Sequence, residues 1–142
     1  MTETAETSIL VAATPQAVWH ALTDPAMIAE YLYGTQVSTD WKKGSAIVYR
    51  GEWEGKPYED KGTILEIDPP RVLVTSYYSP LSGKPDSPES YQNVTYTLAP
   101  EGSATRVTVT QDGCADRAEA DRMVENWGMT LDGLKGVVEG AA

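Results

Sequence analysis

The chain has 142 residues, 41% of them hydrophobic and 23% charged, with a formal net charge of −10 and a single cysteine. That length suits one domain with one sizeable core, burying roughly two-thirds of the surface of the unfolded chain, and the composition is far from that of a disordered polymer. The negative charge disfavours nucleic acid and anionic membrane surfaces as partners. The lone Cys114 leaves no disulfide to form within the chain. No apolar run approaches the roughly 20 residues that span a bilayer, and no leader is read at the N-terminus, so a cytoplasmic location is expected. Asn93-Val94-Thr95 matches a glycosylation sequon and is read as ordinary strand sequence.

Residues 1–5 are expected to fray, and Thr7–Ala13 reads as a first strand with Ile9 and Val11 on one face. Thr14-Pro15 pairs an N-cap residue with a proline suited to the first helical turn, predicting a short helix to about Thr23. Asp24-Pro25 repeats that punctuation and predicts a second helix from Ala26 to about Leu32. From Gly34 to Gln111 the pattern changes to alternating β-branched and aromatic residues broken by turn signals such as Lys43-Gly44 and Asp68-Pro69-Pro70. The clearest strands are Ala46–Trp53, Tyr58–Ile67, Val72–Ser79, Tyr91–Ala99 and Thr105–Gln111, with connections too short for crossover helices, so the sheet is an antiparallel meander. Pro80–Ser90 is a longer Pro/Ser-rich segment, read either as a lid or as a plain surface loop.

Arg117 to about Gly140 places Ala120, Met123, Val124, Trp127, Leu131, Leu134 and Val138 at spacings of three and four, the stripe of a long amphipathic helix. Asp116 and Glu119 resemble a capping box at its start. Gly128 and Gly133 each weaken the helix by about 1 kcal/mol relative to Ala, which predicts close packing or a bend there.

Several segments, in this order, carry a family resemblance. Thr14-Pro15-Gln16-Ala17-Val18-Trp19-His20-Ala21-Leu22-Thr23-Asp24-Pro25 with Ile28 resembles the entry motif of the activator of heat-shock protein 90 ATPase homologue family, C-terminal-domain-like, within the START-like (SRPBCC) superfamily. The stretch from Gly62 to Leu73, the strand Thr105–Gln111, and Asn126-Trp127-Gly128 with Leu131, Leu134 and Lys135 resemble the same family. The resemblance implies an α+β helix-grip fold: a curved antiparallel sheet wrapped around a long C-terminal helix, with two short helices after the first strand. It also implies a cavity between sheet and helix. The chain has no Phe, so its interior aromatics are Tyr and Trp, whose polar tips need partners.

The candidate cavity residues are Tyr49 and Trp53, Tyr77, Tyr96, Gln111, Met123, Trp127, Leu131 and, from its parity with Ile64, Glu66. The same rows could instead fill one another's space as solid core; periodicity does not separate the two. Gln111 reads either as a polar anchor at a cavity mouth or as a strand-end residue in solvent. Glu66 reads either as an inward acid or as an outward residue at a strand end. The sole histidine, His20, falls off the apolar side of its helix and reads as a surface residue. Glu52, Glu54, Glu59 and Asp60 surround a predicted turn, where they could pair for acid/base work, and the favoured reading is a solvated hairpin. No metal-ligand set, nucleophilic triad or phosphate-cradling loop appears, so no cofactor, metal or catalytic residue is expected. Cys114 lies near Asp112 and Asp116, surroundings that discourage a thiolate.

Three functions are consistent with these residues. The leading one is a protein that binds a small apolar or aromatic molecule between sheet and helix. The second is a co-chaperone-like or other protein-interaction module that meets a chaperone or another protein partner through its outer face. The third is a cyclase- or dehydratase-type enzyme using Glu66, Tyr77 or Gln111.

Overall fold

The computed structural model describes residues 3–32, 34–53, 55–79 and 85–140, with only the backbone of Trp53. Among these residues, seven strands form one antiparallel curved sheet, and a long C-terminal helix packs across it. The elements in chain order are β1 (Glu3–Val11), α1 (Pro15–Thr23), α2 (Pro25–Tyr31), β2 (Gln36–Ser38), β3 (Ala46–Trp53), β4 (Lys56–Asp68), β5 (Val72–Tyr77), β6 (Gln92–Glu101), β7 (Ala104–Cys114) and α3 (Arg117–Gly140). Strand order across the sheet is β1-β7-β6-β5-β4-β3-β2. This is the α+β helix-grip architecture: β1 pairs with the last strand, and the two short helices carry the chain across to the far edge.

The helix starts follow from local chemistry. Thr14 Oγ1 accepts from the Ala17 N–H at 3.2 Å, and Asp24 Oδ1 accepts from the Ala26 N–H at 3.1 Å, so each short helix begins at a capped turn. At the start of α3 the Glu119 N–H donates to Asp116 Oδ1 at 2.8 Å. Glu119 Oε2 in turn accepts from the Ala115 N–H at 2.6 Å, one residue before the expected capping-box partner. Two contacts fasten α3 to the edge strand: Lys135 Nζ donates to the Leu10 carbonyl at 3.0 Å, and the Ala12 N–H donates to Glu139 Oε2 at 2.8 Å.

The core lies between the sheet's concave face and the helices, where Val11, Val18, Ile28, Ile47, Ile64, Val107, Leu131 and Leu134 are all buried. Each such side chain contributes roughly 1.5–3 kcal/mol by leaving water. Gly133 meets the expectation of close packing, since a Cβ there would lie 3.1 Å from Tyr31 Cβ. Gly128 does not: nothing stands within 4 Å of its would-be Cβ.

Two expectations change and one strand is added. Residues 3–5 do not fray; they extend β1, and Ala5 is buried against β7. The last strand does not stop at Gln111 but runs to Cys114, because Gly113 adopts a left-handed φ of 68° at a register shift that preserves pairing with Glu3. The three-residue β2 pairs with β3 and was too short to register as alternation.

Candidate functional site

A cavity of about 330 Å³ opens between the sheet and α3. Its floor is built from alternate residues of four strands. Tyr49 comes from β3, Thr75 and Tyr77 from β5, Val94 and Tyr96 from β6, and Gln111 from β7. Register brings them together: Val94 pairs with both Thr75 and Gln111, so one lateral row crosses three strands on the inner face. The roof is one face of α3, with Met123, Asn126, Trp127 and Thr130 at helical spacing. Leu32 and Thr35, following α2, close one side.

The aromatic rings meet edge to face. Tyr96 and Trp127 lie 5.7 Å apart at 87°, and Tyr49 and Tyr77 lie 6.4 Å apart at 79°, the geometry that aromatic quadrupoles favour. Gln111 is buried, not a strand-end side chain in solvent. Its Oε1 accepts the Trp127 indole N–H at 2.8 Å, and its Nε2 donates to Gln92 Oε1 at 2.6 Å. Gln111 therefore fixes the orientation of the largest ring in the roof. Thr35 is buried beside the cavity, donating to the Leu32 carbonyl at 2.8 Å and hydrogen-bonded to the Tyr58 hydroxyl.

At the β3–β4–β5 end stands Asp60, directly opposite Tyr49 in the strand register. Its Oδ2 accepts from the Tyr77 hydroxyl at 2.6 Å. Its Oδ1 is buried and has no hydrogen-bond partner among the described residues. Burial, and secondarily the Asp60 charge, pushes the Tyr49 and Tyr77 phenols well above their ordinary range. Tyr96 is raised as well, first by burial and then by the neighbouring phenols.

Of the residues singled out in the sequence, the structure brings Tyr49, Tyr77, Tyr96, Gln111, Met123 and Trp127 to the cavity wall. Trp53 belongs to β3, but its side chain lies outside the described residues. Leu131 is not on the wall: only 1% exposed, it is packed into the core one helical step away. Glu66 is exposed and does not face the interior. The register slips between Ile64 and Glu66, so that Ile64 pairs with Thr75 while Glu66 pairs with Val74, and parity counted from Ile64 fails beyond this point. Of the three residues named for the enzyme reading, Glu66 is turned away from the cavity, whereas Tyr77 and Gln111 line it.

The hairpin carboxylates divide. Glu59 is exposed and paired with Arg50 at 2.7 Å, and Glu52 is exposed, as a solvated hairpin requires. Asp60 departs from that expectation by turning inward. Glu54 lies outside the described residues, as do residues 80–84 of the Pro80–Ser90 segment. The rest of that segment is tied back, with the Tyr91 hydroxyl donating to Asp86 Oδ1 at 2.7 Å and its ring stacked on Tyr78. His20 is exposed beside Asp24. Cys114 is buried, and burial pushes its thiol upward, away from thiolate.

Asn126, Thr130, Thr35 and Leu32 were missed. A signal existed for two of them: Asn126 and Thr130 lie three and seven residues after Met123, polar positions interrupting an apolar stripe, as a helix face toward a cavity allows. Asp60 carried its own signal in its even spacing from Ile64, two steps along the unslipped part of β4.

A strongly curved sheet closed by a terminal helix, with an aromatic cavity between them, defines a START-like helix-grip protein. The model of the family described as activator of Hsp90 ATPase homolog 1-like protein matches residues 12–139, and the chain belongs to that family. No curated protein matches the chain significantly. Among solved structures, the chain is similar to ChR145 from Cytophaga hutchinsonii, at 44% identity over 98% of this chain and 95% of that one, with a TM-score of 0.85. CalU16 from Micromonospora echinospora shares the fold at 21% identity over 97% of this chain and 85% of that one, with a TM-score of 0.73. The Aha1 dimer from Colwellia psychrerythraea shares it at 16% identity over 96% of each chain, with a TM-score of 0.74. Family membership supports a small ligand-binding or interaction module. Among the described residues no helix is long and apolar enough to cross a membrane.

Proposed function

We propose that the chain acts in the cytoplasm as a single domain that binds a small apolar or aromatic molecule between its sheet and α3. The observation that carries this reading is the cavity itself. About 330 Å³ is bordered by the rings of Tyr49, Tyr77, Tyr96 and Trp127, with Thr35, Thr75, Gln111, Asn126 and Thr130 as polar residues of the lining, a volume and lining typical of small-molecule sites. The rings are held in place by the Gln111–Trp127 hydrogen bond and the edge-to-face pairs, so little order has to be created on binding.

The test is a titration with the neutral fluorescent probe N-phenyl-1-naphthylamine, comparing wild type with Thr130→Trp. Thr130 lines the cavity, and among the described residues its hydroxyl bonds to its own helix, at the Asn126 carbonyl. The larger ring is therefore expected to fill the cavity and leave the fold intact, as circular dichroism would verify. Wild type is expected to bind one probe saturably, and the variant at least about tenfold more weakly, since the change removes most of the cavity's buried contact. No saturable binding by wild type, or equal binding by the folded variant, would move the search to protein partners on the outer face.

A further inference from the structure

The polar groups of the cavity wall divide into those already engaged and those left over. Gln111 is committed to Trp127 and Gln92, the Tyr77 hydroxyl to Asp60, and the Thr35 and Thr130 hydroxyls to carbonyls of their own segments. The Tyr49 and Tyr96 hydroxyls have no hydrogen-bond partner among the described residues, although both residues line the cavity. They are not sealed in. Asp60 Oδ1 is the one fully buried side-chain oxygen without a partner among the described residues, so each of these two hydroxyls keeps accessible surface. Both residues are half-buried, and the edge-to-face contacts with Tyr77 and Trp127 hold their rings at the wall. The Tyr96 phenol is raised first by burial and then by Tyr49, so the two ring tips lie close enough to feel one another's charge.

A hydroxyl facing an apolar space costs free energy until something bonds it. A phenol serves better as donor than as acceptor, because its oxygen lone pair is drawn into the ring. Two such donors on an apolar wall are matched by a hydrophobic body carrying an oxygen acceptor. We propose that the cavity takes a ring-bearing molecule with a carbonyl group, whose oxygen is held by hydrogen bonds from the Tyr49 and Tyr96 hydroxyls. This inference rests on the ligand-binding reading above and adds the chemical class of the ligand to it. The Thr75 hydroxyl, on the same wall and also without a partner among the described residues, is an alcohol and the weaker donor.

Two probes of one shape test it by calorimetry: 2-acetylnaphthalene and 2-isopropenylnaphthalene, which differ only in a carbonyl oxygen against a methylene. Wild type is expected to bind the ketone at least about tenfold more tightly, since the alkene leaves both phenols dry and unpaired. In the double variant Tyr49→Phe/Tyr96→Phe the preference is expected to fall to about twofold or less, because the rings stay and only the donors go. Neither hydroxyl is bonded within the described fold, so the variant is expected to fold as wild type does, which circular dichroism checks. Should it fail to fold, the infrared carbonyl band of the ketone bound to wild type decides the matter. It is expected at lower wavenumber than in hexane, and a band at the hexane position would mean that no donor reaches the oxygen. Equal binding of the two probes, or tighter binding of the alkene, would overturn the carbonyl preference and leave the cavity reading standing. A preference that persists in the folded double variant would pass the carbonyl to Thr75 and overturn the assignment to the phenols. Failure of both probes to bind would overturn both readings.

Discussion

Above about pH 10 the protein is expected to unfold in one cooperative step instead of ionising its tyrosines one by one. Tyr31, Tyr49, Tyr77 and Tyr96 all have phenols raised far above the ordinary value, in each case chiefly by burial. A phenol is neutral while it holds its proton, so a raised folded-state value means that the folded chain keeps protons the unfolded chain releases. The stability these groups contribute is therefore complete below the unfolded-state value of about 10, and it is lost as pH rises past that value toward the folded one. Each fully shielded phenol removes about 1.4 kcal/mol of stability per pH unit in that range. Four together approach about 5 kcal/mol per unit, and less where solvent enters the cavity beside Tyr49, Tyr77 and Tyr96, against a total stability of about 5–15 kcal/mol for an ordinary domain. Phenolate absorbance and far-ultraviolet circular dichroism, followed together as pH rises, are expected to change in step for these four residues. If all eight tyrosines ionise near the ordinary value with the dichroism unchanged, the aromatic interior is not shielded as described.

Gly62→Ala is expected to lower stability by at least about 3 kcal/mol, at the upper end of what overpacking costs. A Cβ built on Gly62 would fall 1.8 Å from the Ser76 carbonyl oxygen and 2.6 Å from its carbon. Both are backbone atoms, so no side-chain rotation relieves the clash, and β4 and β5 would have to part. That movement would break the hydrogen bond from the Thr63 N–H to Ser76 Oγ at 2.9 Å. It would also displace Thr75 and Tyr77, the cavity residues on either side of Ser76. Urea denaturation measures the effect as a lowered midpoint. A variant within about 1 kcal/mol of wild type would mean that the two strands do not approach so closely.

Sequence alone was enough for the parts of this protein governed by local chemistry. Thr14-Pro15 and Asp24-Pro25 each pair a capping residue with a proline suited to the first helical turn, and the α3 stripe needs only 3.6-residue periodicity, so the order of the helices and of the strands other than β2 could be read directly. The inward rows of β3, β5 and β6 were equally readable, because Tyr49, Tyr77 and Tyr96 sit on strands without a slip at those positions. Errors gathered where one residue changes the count. The slip between Ile64 and Glu66 turned an expected inward acid out to solvent, and the Gly113 bulge carried the last strand beyond Gln111.

Asp60 was misread for a different reason. A carboxylate among other carboxylates near a turn is usually solvated, and only its position opposite Tyr49, within reach of Tyr77, turns it into part of an interior. Leu131 shows the limit of helical spacing, which places a residue on the buried side without saying whether it meets core or cavity. Four residues earlier on the same side Trp127 meets the cavity, whereas Leu131 meets the core.

In the proposed reading a ring-bearing molecule enters between the sheet and α3. The most direct test of that reading is an amide and indole nuclear magnetic resonance titration of the isotope-labelled protein with N-phenyl-1-naphthylamine. The expected result is a saturating, one-to-one shift of the Trp127 indole N–H, which lies in the cavity roof bonded to Gln111, accompanied by the amides of Thr75, Val94 and Tyr96. Shifts confined to the outer surface, around the exposed Leu10, Leu65 and Met129, or no shift at all, would contradict it.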